Sequence, residues 1–474
     1  MEFKEQAASG FNSCPADILY LVFKLLPFAE LNALSLVNKS LRTIAEPFLY
    51  STIQWTWQEA HPDAPPPITL LLRTLFSKPQ LATYIKNIHL DGYTYRRLEL
   101  RWKLPKIPIS DAELDQPIAF IRGTGVPYGD LWIQELCQGT IDAFVALLLA
   151  QLSNVSHLYL ANDFTRRSGL IGMVLRSAIY NTADYKLPDF RNLRNVSFLL
   201  PKDEDEARDK EIKNTADILP FFYLPELEHL SASIENPAEF TWSTAPIISN
   251  LTSLDLTTIR ELYLGELLSV TQNLKTLHWH WYYDNGVKDK FTTPVIYLNQ
   301  FAAAISHVRG TLTDLTISAE SGIGGGDQFL PSVKIEGSLH TMADWDMLER
   351  LQVPWSFLVG FVQDTTKRLQ DVIPRNIEFL SITDDLAFWD IAGGEEWPLW
   401  GWTDFAILEL LQVWLKDWKA CTPHLRGITL LFSWVDFDYN GWTWSPENRE
   451  QLGELGAQAG IQLEMIELDP ESIC

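Results

Sequence analysis

The chain is 474 residues long, 46% hydrophobic and 21% charged, a globular balance with room for roughly two to four domains or one repeat array. Its formal net charge of −24 excludes general binding to a nucleic-acid backbone, which needs Lys and Arg to neutralise phosphates, and binding to an anionic membrane surface. Its four cysteines (Cys14, Cys137, Cys421, Cys474) are scattered without CxxC or zinc spacing, which points to a reducing compartment rather than a disulfide framework. MEFKEQAASG has no apolar signal core, and the longest apolar run, Ile141 to Leu152, is too short to span a bilayer. A cytoplasmic and/or nuclear protein with no membrane partner is expected, so the Asn-X-Ser/Thr matches at 38, 154, 195 and 250 read as chance.

Residues 1–13 are expected to be a flexible tail. The stretch CPADILYLVFKLLPFAELNALSLVNKSLR then predicts three helices: Ala16 to Leu26 between Pro15 and Pro27, Ala29 to Val37, and Ser40 to Tyr50. In the first, Ile18, Leu19, Leu21, Val22, Phe23, Leu25 and Leu26 wrap far beyond the roughly 100° stripe of an ordinary surface helix. A segment of this size buries too little surface to stand alone, so either the rest of the chain or a partner must cover it. The ordered series Pro15, Ile18, Leu19, Phe23, Leu26, Pro27, Leu31, Leu34, Val37 and Lys39 resembles the F-box, and the tail IAEPFLYSTIQW resembles its fungal members. Cys14 stands where that family usually has Leu. The resemblance implies that residues 14–50 bind the Skp linker, and through it a cullin, with Cys14, Pro15, Ile18, Leu19, Phe23, Leu26, Leu31, Leu34 and Val37 at the contact.

Residues 51–67, ending in HPDAPPP, are expected to be a linker, and 68–474 a single target-binding domain. An LxxLxL pattern recurs there ten times, beginning at Ile85 (IKNIHL) and continuing around Leu158 and from Leu193, Leu227, Leu251, Leu274, Leu312, Leu348, Ile377 and Leu425. Helical patterns precede several of these strands: Ile141 to Leu152, Val295 to Val308, and Asp404 to Trp418 with Thr403 as N-cap. Repeated helix–loop–strand units predict parallel strands with crossovers. The pattern resembles the leucine-rich repeat, loosely: spacing is irregular, and Asp163, Ile259, Tyr282 and Glu320 stand where the family has Asn or Cys. The expected fold is therefore α/β, a three-helix F-box followed by an irregular leucine-rich-repeat-like solenoid with a curved parallel sheet and flanking helices. An ordinary α/β domain with several parallel strands is the alternative.

Strand side chains alternate, so the residues between the leucines should share one open face. They are His89, Tyr159, Ser197, Ser231, Asp255, His278, Thr316, Gln352, Ser381 and Thr429, all polar or amphipathic. Candidate target contacts are Tyr159, Asp255, His278 and Thr316, with Arg96, Arg97, Arg101 and Trp102 from the basic insertion YTYRRLELRWKLPK (Tyr93 to Lys106). Paired His278 and His280 are weak grounds for a metal, and none is expected. GIGGGDQ (Gly322 to Gln328) lacks dinucleotide-binding spacing and reads as a loop, and KDEDEARDKE (Lys202 to Glu211) as a solvated one. No nucleophile–base motif emerges, and the Trp residues of EEWPLWGWTDF fix no pair of carboxylates for sugar chemistry. With no cofactor and no catalysis expected, the sequence points to a substrate adaptor of a Skp–cullin–F-box ubiquitin ligase holding an unknown target protein. Two alternatives stay open: a scaffold that uses the F-box without directing degradation, and a carbohydrate-active or other enzyme.

Overall fold

The computed structural model describes residues 14–58, 67–93, 106–109, 114–161, 169–198, 215–234, 236, 242, 249–284, 293–322, 333–364, 366–387, 400–433 and 444–468. The chain divides into two compact units, 1–200 and 201–474.

Unit 1 begins with three helices: α1 (Ala16–Lys24), α2 (Phe28–Val37) and α3 (Lys39–Leu49). Pro15 and Pro27 stand immediately before α1 and α2, where a missing N–H costs nothing. Pro27 also explains why α1 stops short of its expected end at Leu26, since the residue before proline is driven out of helical geometry. Asn38 caps α3, its side-chain oxygen accepting from the Leu41 N–H at 2.9 Å.

The expected linker is a strand at its start. TIQWTWQ, β-branched and aromatic, forms β1 (Thr52–Gln58), buries Ile53, and runs parallel to β2 (Asn87–Tyr93) in unbroken register from Thr52↔Asn87 to Gln58↔Tyr93. Next in the parallel sheet come β3 (His157–Leu160) and β4 (Asn195–Phe198). Parallel neighbours need long crossovers, and helices Ile141–Leu149 and Gly169–Tyr180 supply two of them. The first is apolar all round and buried along nearly its whole length, Asp142 being its one acid.

Unit 2 repeats the scheme. Its eight parallel strands are β5 (His229–Ser233), β6 (Ser253–Thr257), β7 (Thr276–Asp284), β9 (Asp314–Gly322), β11 (Arg350–Pro354), β12 (Phe379–Thr383), β13 (Gly427–Ser433) and β14 (Gln462–Leu468), neighbouring in that order. All ten LxxLxL motifs fall on strands of the two units. The second and third apolar positions of each motif point inward, as with Leu254 and Leu256, Leu315 and Ile317, and Leu380 and Ile382, all buried. Helices Glu261–Ser269, Leu298–Ile305, Asp404–Leu415 and Pro446–Ala459 cover that apolar side. The expected helix from Val295 starts later: Val295–Tyr297 is strand β8, paired parallel with β10 (Lys334–Glu336), because Val-Ile-Tyr favours extended backbone. Thr403 caps its helix as expected, accepting from the Ala406 N–H at 3.2 Å, and Trp414 and Trp418 are buried.

A buried ion pair braces this unit. Arg260 donates to Glu261 at 3.3 Å and to the carbonyls of Thr293 and Val295 at 3.0 and 2.7 Å, and its guanidinium lies 4.6 Å from the Trp281 ring centroid. Burial is the largest influence on both groups, lowering the Arg260 pKa and raising that of Glu261. Thr293 and the start of β8 are thereby tied to the start of helix Glu261–Ser269.

Candidate functional site

α1 carries two apolar stripes. Leu19 and Phe23 face inward and join Leu31, Leu41 and Ala45 in a small core, with Cys14, Leu26, Leu34, Ile44, Phe48 and Leu49 packed against it. The opposite stripe is Ile18, Leu21, Val22 and Leu25 at i, i+3, i+4 and i+7, all exposed, Leu25 at 84%. Tyr20, Phe28, Leu36 and Val37 are exposed beside them in sequence. Residues 18–37 thus hold eight of the seventeen exposed large hydrophobics of the described chain. So dense an apolar surface marks an interaction site rather than scatter.

This geometry sorts the expected contact residues. Leu19, Phe23 and Leu31 hold the module together and are closed to a partner, whereas Ile18 and Val37 are open and Cys14, Leu26 and Leu34 are half-buried. Leu21, Leu25, Phe28 and Leu36 are exposed too and were not among the expected contacts, although the second stripe on α1 is visible in the spacing alone.

The polar residues between the leucines form cross-strand rows. In unit 1, Gln54, His89, Tyr159 and Ser197 are aligned in register. In unit 2 the row is Ser231, Asp255, His278, Thr316, Gln352, Ser381, Thr429 and Glu464. Asp255, His278 and Thr316 therefore lie side by side. Arg96, Arg97, Arg101 and Trp102 lie outside the described residues, as do Asp163, Lys202 to Glu211 and most of GIGGGDQ.

The centre of the unit 2 row is a connected network. Ser231 Oγ donates to Asp255 Oδ2 at 3.0 Å, and His278 Nδ1 lies 3.1 Å from Asp255 Oδ1. Ser318 Oγ lies 3.1 Å from His278 Nε2 and 2.8 Å from His280 Nδ1, and His280 Nε2 lies 3.4 Å from Glu320. Burial pushes the Asp255 carboxyl up, but the bonds and charge of His278 and the Ser231 bond together hold it below the usual range. The two histidines thus face hydroxyls and carboxylates of their own chain, and among the described residues no group of three or more His, Cys, Asp or Glu is placed to hold a metal ion. Ser318 could not have been found from sequence, since only the β7–β9 register brings it between the two rings. Farther along the face, Arg350 donates to Asp314 at 2.8 Å.

A comparison with known families identifies an F-box domain at residues 11–48, spanning α1, α2 and nearly all of α3. F-box domains bind Skp-type linkers within Skp–cullin–F-box complexes, so its presence indicates, in general terms, the role of a substrate adaptor. No curated protein is similar enough to match the chain. Among the described residues no helix is long and apolar enough to cross a membrane.

Proposed function

We propose that the chain is the target-recognition subunit of a Skp–cullin–F-box ubiquitin ligase, taking the Skp linker on its F-box and a target protein on the open faces of its parallel strands. The observation that carries this reading is the coincidence of the F-box match with the exposed stripe of residues 18–37. Fully burying a Leu- or Phe-sized side chain contributes roughly 1.5–3 kcal/mol. Covering Leu21, Leu25, Phe28 and Leu36 together would contribute roughly 6–12 kcal/mol, the same order as an association cost of about 4–15 kcal/mol. The strand-and-crossover repetition supports a leucine-rich-repeat-like target domain, and the aligned polar rows supply a rigid surface for recognition. The adaptor has no chemistry of its own in this reading; ubiquitin transfer belongs to other subunits.

The test is capture of a Skp-type linker and cullin by full-length protein carrying Leu21→Asp and Leu25→Asp. Both side chains point outward, so the thermal midpoint should stay within a few degrees of wild type while linker capture is lost. Undiminished capture by the folded double variant would remove the basis for the assignment. Phe23 is unsuitable for this purpose because it is fully buried and its replacement would unfold the module.

A further inference from the structure

Two polar surfaces are available for a target, and they differ in what is still open. In unit 2, Asp255, His278, Ser318 and His280 are engaged with one another. In unit 1 the equivalent groups are not. No hydrogen bond or ion pair to another described residue engages Asp91, the Tyr159 hydroxyl or Ser197 Oγ, yet all three residues are half-buried on the same face as His89.

The shape of this second surface is specific. The His89 and Tyr159 rings stack with centroids 4.1 Å apart and planes at 11°. His89 thus covers one face of the Tyr159 ring. On the other side the in-register neighbour is Ser197, whose side chain is too short to reach across the ring. Neighbouring strands lie about 4.8 Å apart, so a planar group standing over Ser197 would continue the stack at nearly the spacing His89 and Tyr159 already adopt. Its lower edge would meet the Ser197 hydroxyl, a free acceptor.

On the strands themselves the charge has one sign. The four strands of unit 1 contain no Lys or Arg, and Asp91 is their one acid. Burial, and then the charge of Asp91, push the Tyr159 phenol up, which places that carboxylate within electrostatic reach of the ring. Residues 1–200 as a whole are close to neutral, with 18 acids against 19 bases, so the negative charge on these strands is that of Asp91. A slot that is planar and negative selects a planar cation. Arg meets both requirements, since its guanidinium stacks on aromatic faces and donates from its edges, whereas the Lys ammonium is compact and strongly hydrated.

We propose that this surface recognises an arginine side chain of the target, the guanidinium stacking on the open face of Tyr159 above Ser197, donating to Ser197 Oγ, and drawn in by Asp91. The proposal rests on the reading of the open strand faces as the target site.

The experiment uses the full chain and three capped pentapeptides, identical except for a central arginine, lysine or citrulline among glycines and serines, titrated by ligand-observed NMR. Arginine should bind about five- to tenfold more tightly than either analogue, because citrulline keeps the plane without the charge and lysine the charge without the plane. Tyr159→Leu should remove that preference, and Ser197→Phe should block the slot, both with an unchanged thermal midpoint. Asp91→Asn should weaken binding about two- to threefold. Equal binding of the three peptides, or an arginine preference that survives Tyr159→Leu, would overturn the proposal. So would binding that appears only when Arg96, Arg97 and Arg101 are all changed to Ser, since the slot would then belong to the chain's own arginines. Linker capture measured on the same samples keeps the two claims apart: its survival alongside failed peptide binding removes only the arginine site, and its loss in the wild-type chain removes the adaptor reading.

Discussion

Asp142 shows how one residue couples burial to pH. Its carboxylate accepts from the backbone N–H groups of Leu170 at 2.8 Å and Ile171 at 3.0 Å, capping helix Gly169–Tyr180 from a neighbouring helix. Burial outweighs those bonds and pushes the carboxyl up to about 6, against 3.8 for a free Asp. Between about pH 4 and pH 6 the folded chain holds a proton that the unfolded chain has lost. The contribution is complete below pH 4 and disappears as pH rises through 6, amounting to about 3 kcal/mol. Asp142→Asn keeps the shape without titrating, so the wild-type-minus-variant unfolding free energy should fall across that window; a flat difference in denaturant titrations from pH 4 to 6.5 would exclude the assignment. The Arg260–Glu261 pair makes the complementary case. Arg260→Met strands a buried carboxylate and should cost about 3–5 kcal/mol, while Arg260→Met with Glu261→Leu should recover part of that loss. Additive losses in a double-mutant cycle would show that the two charges do not depend on each other.

At the scale of elements, helix Asp404–Leu415 is an integral part of unit 2. Trp414 is 2% exposed and its indole N–H has no hydrogen-bond partner among the described residues. Trp414→Ala should cost about 3–5 kcal/mol, whereas Trp414→Phe, which keeps most of the ring and loses no bond, should cost under about 1.5 kcal/mol; urea midpoints of the two variants decide it. This helix and the ten LxxLxL strands were legible because each element buries one face, and burial of one face writes a period into the sequence. β1 and β14 carry no such motif, and β1 lay inside what composition marked as a linker, next to a Pro-rich run. The candidate sites divide along the same physical line. An outward stripe on one helix, such as Ile18, Leu21, Val22 and Leu25, is a local pattern and visible in the chain. The approach of Ser318 to two histidines, or the absence of a large side chain beyond Tyr159, depends on which strand lies beside which, and no single segment records that.

At the scale of the whole molecule, the two proposed binding surfaces rest on opposite physics, and salt should separate them. The F-box surface is a dense apolar patch whose association would rest on removing Leu, Val and Phe side chains from water. Around Tyr159 the attraction is that of the Asp91 carboxylate for a cation, which salt screens over about 10 Å at 0.1 M. Raising ionic strength from 0.05 to 0.5 M shortens the Debye length about threefold and should therefore weaken arginine-peptide binding about two- to threefold, as removal of the Asp91 charge does. Linker capture by the same protein should hold or strengthen slightly, because screening leaves the burial of apolar surface untouched. Isothermal titration of each ligand at the two salt concentrations measures both slopes. A linker affinity that falls as steeply as the peptide's would mean that charge, not the exposed stripe of α1, dominates the F-box contact, and the roles given to Leu21 and Leu25 would have to pass to the polar residues around them.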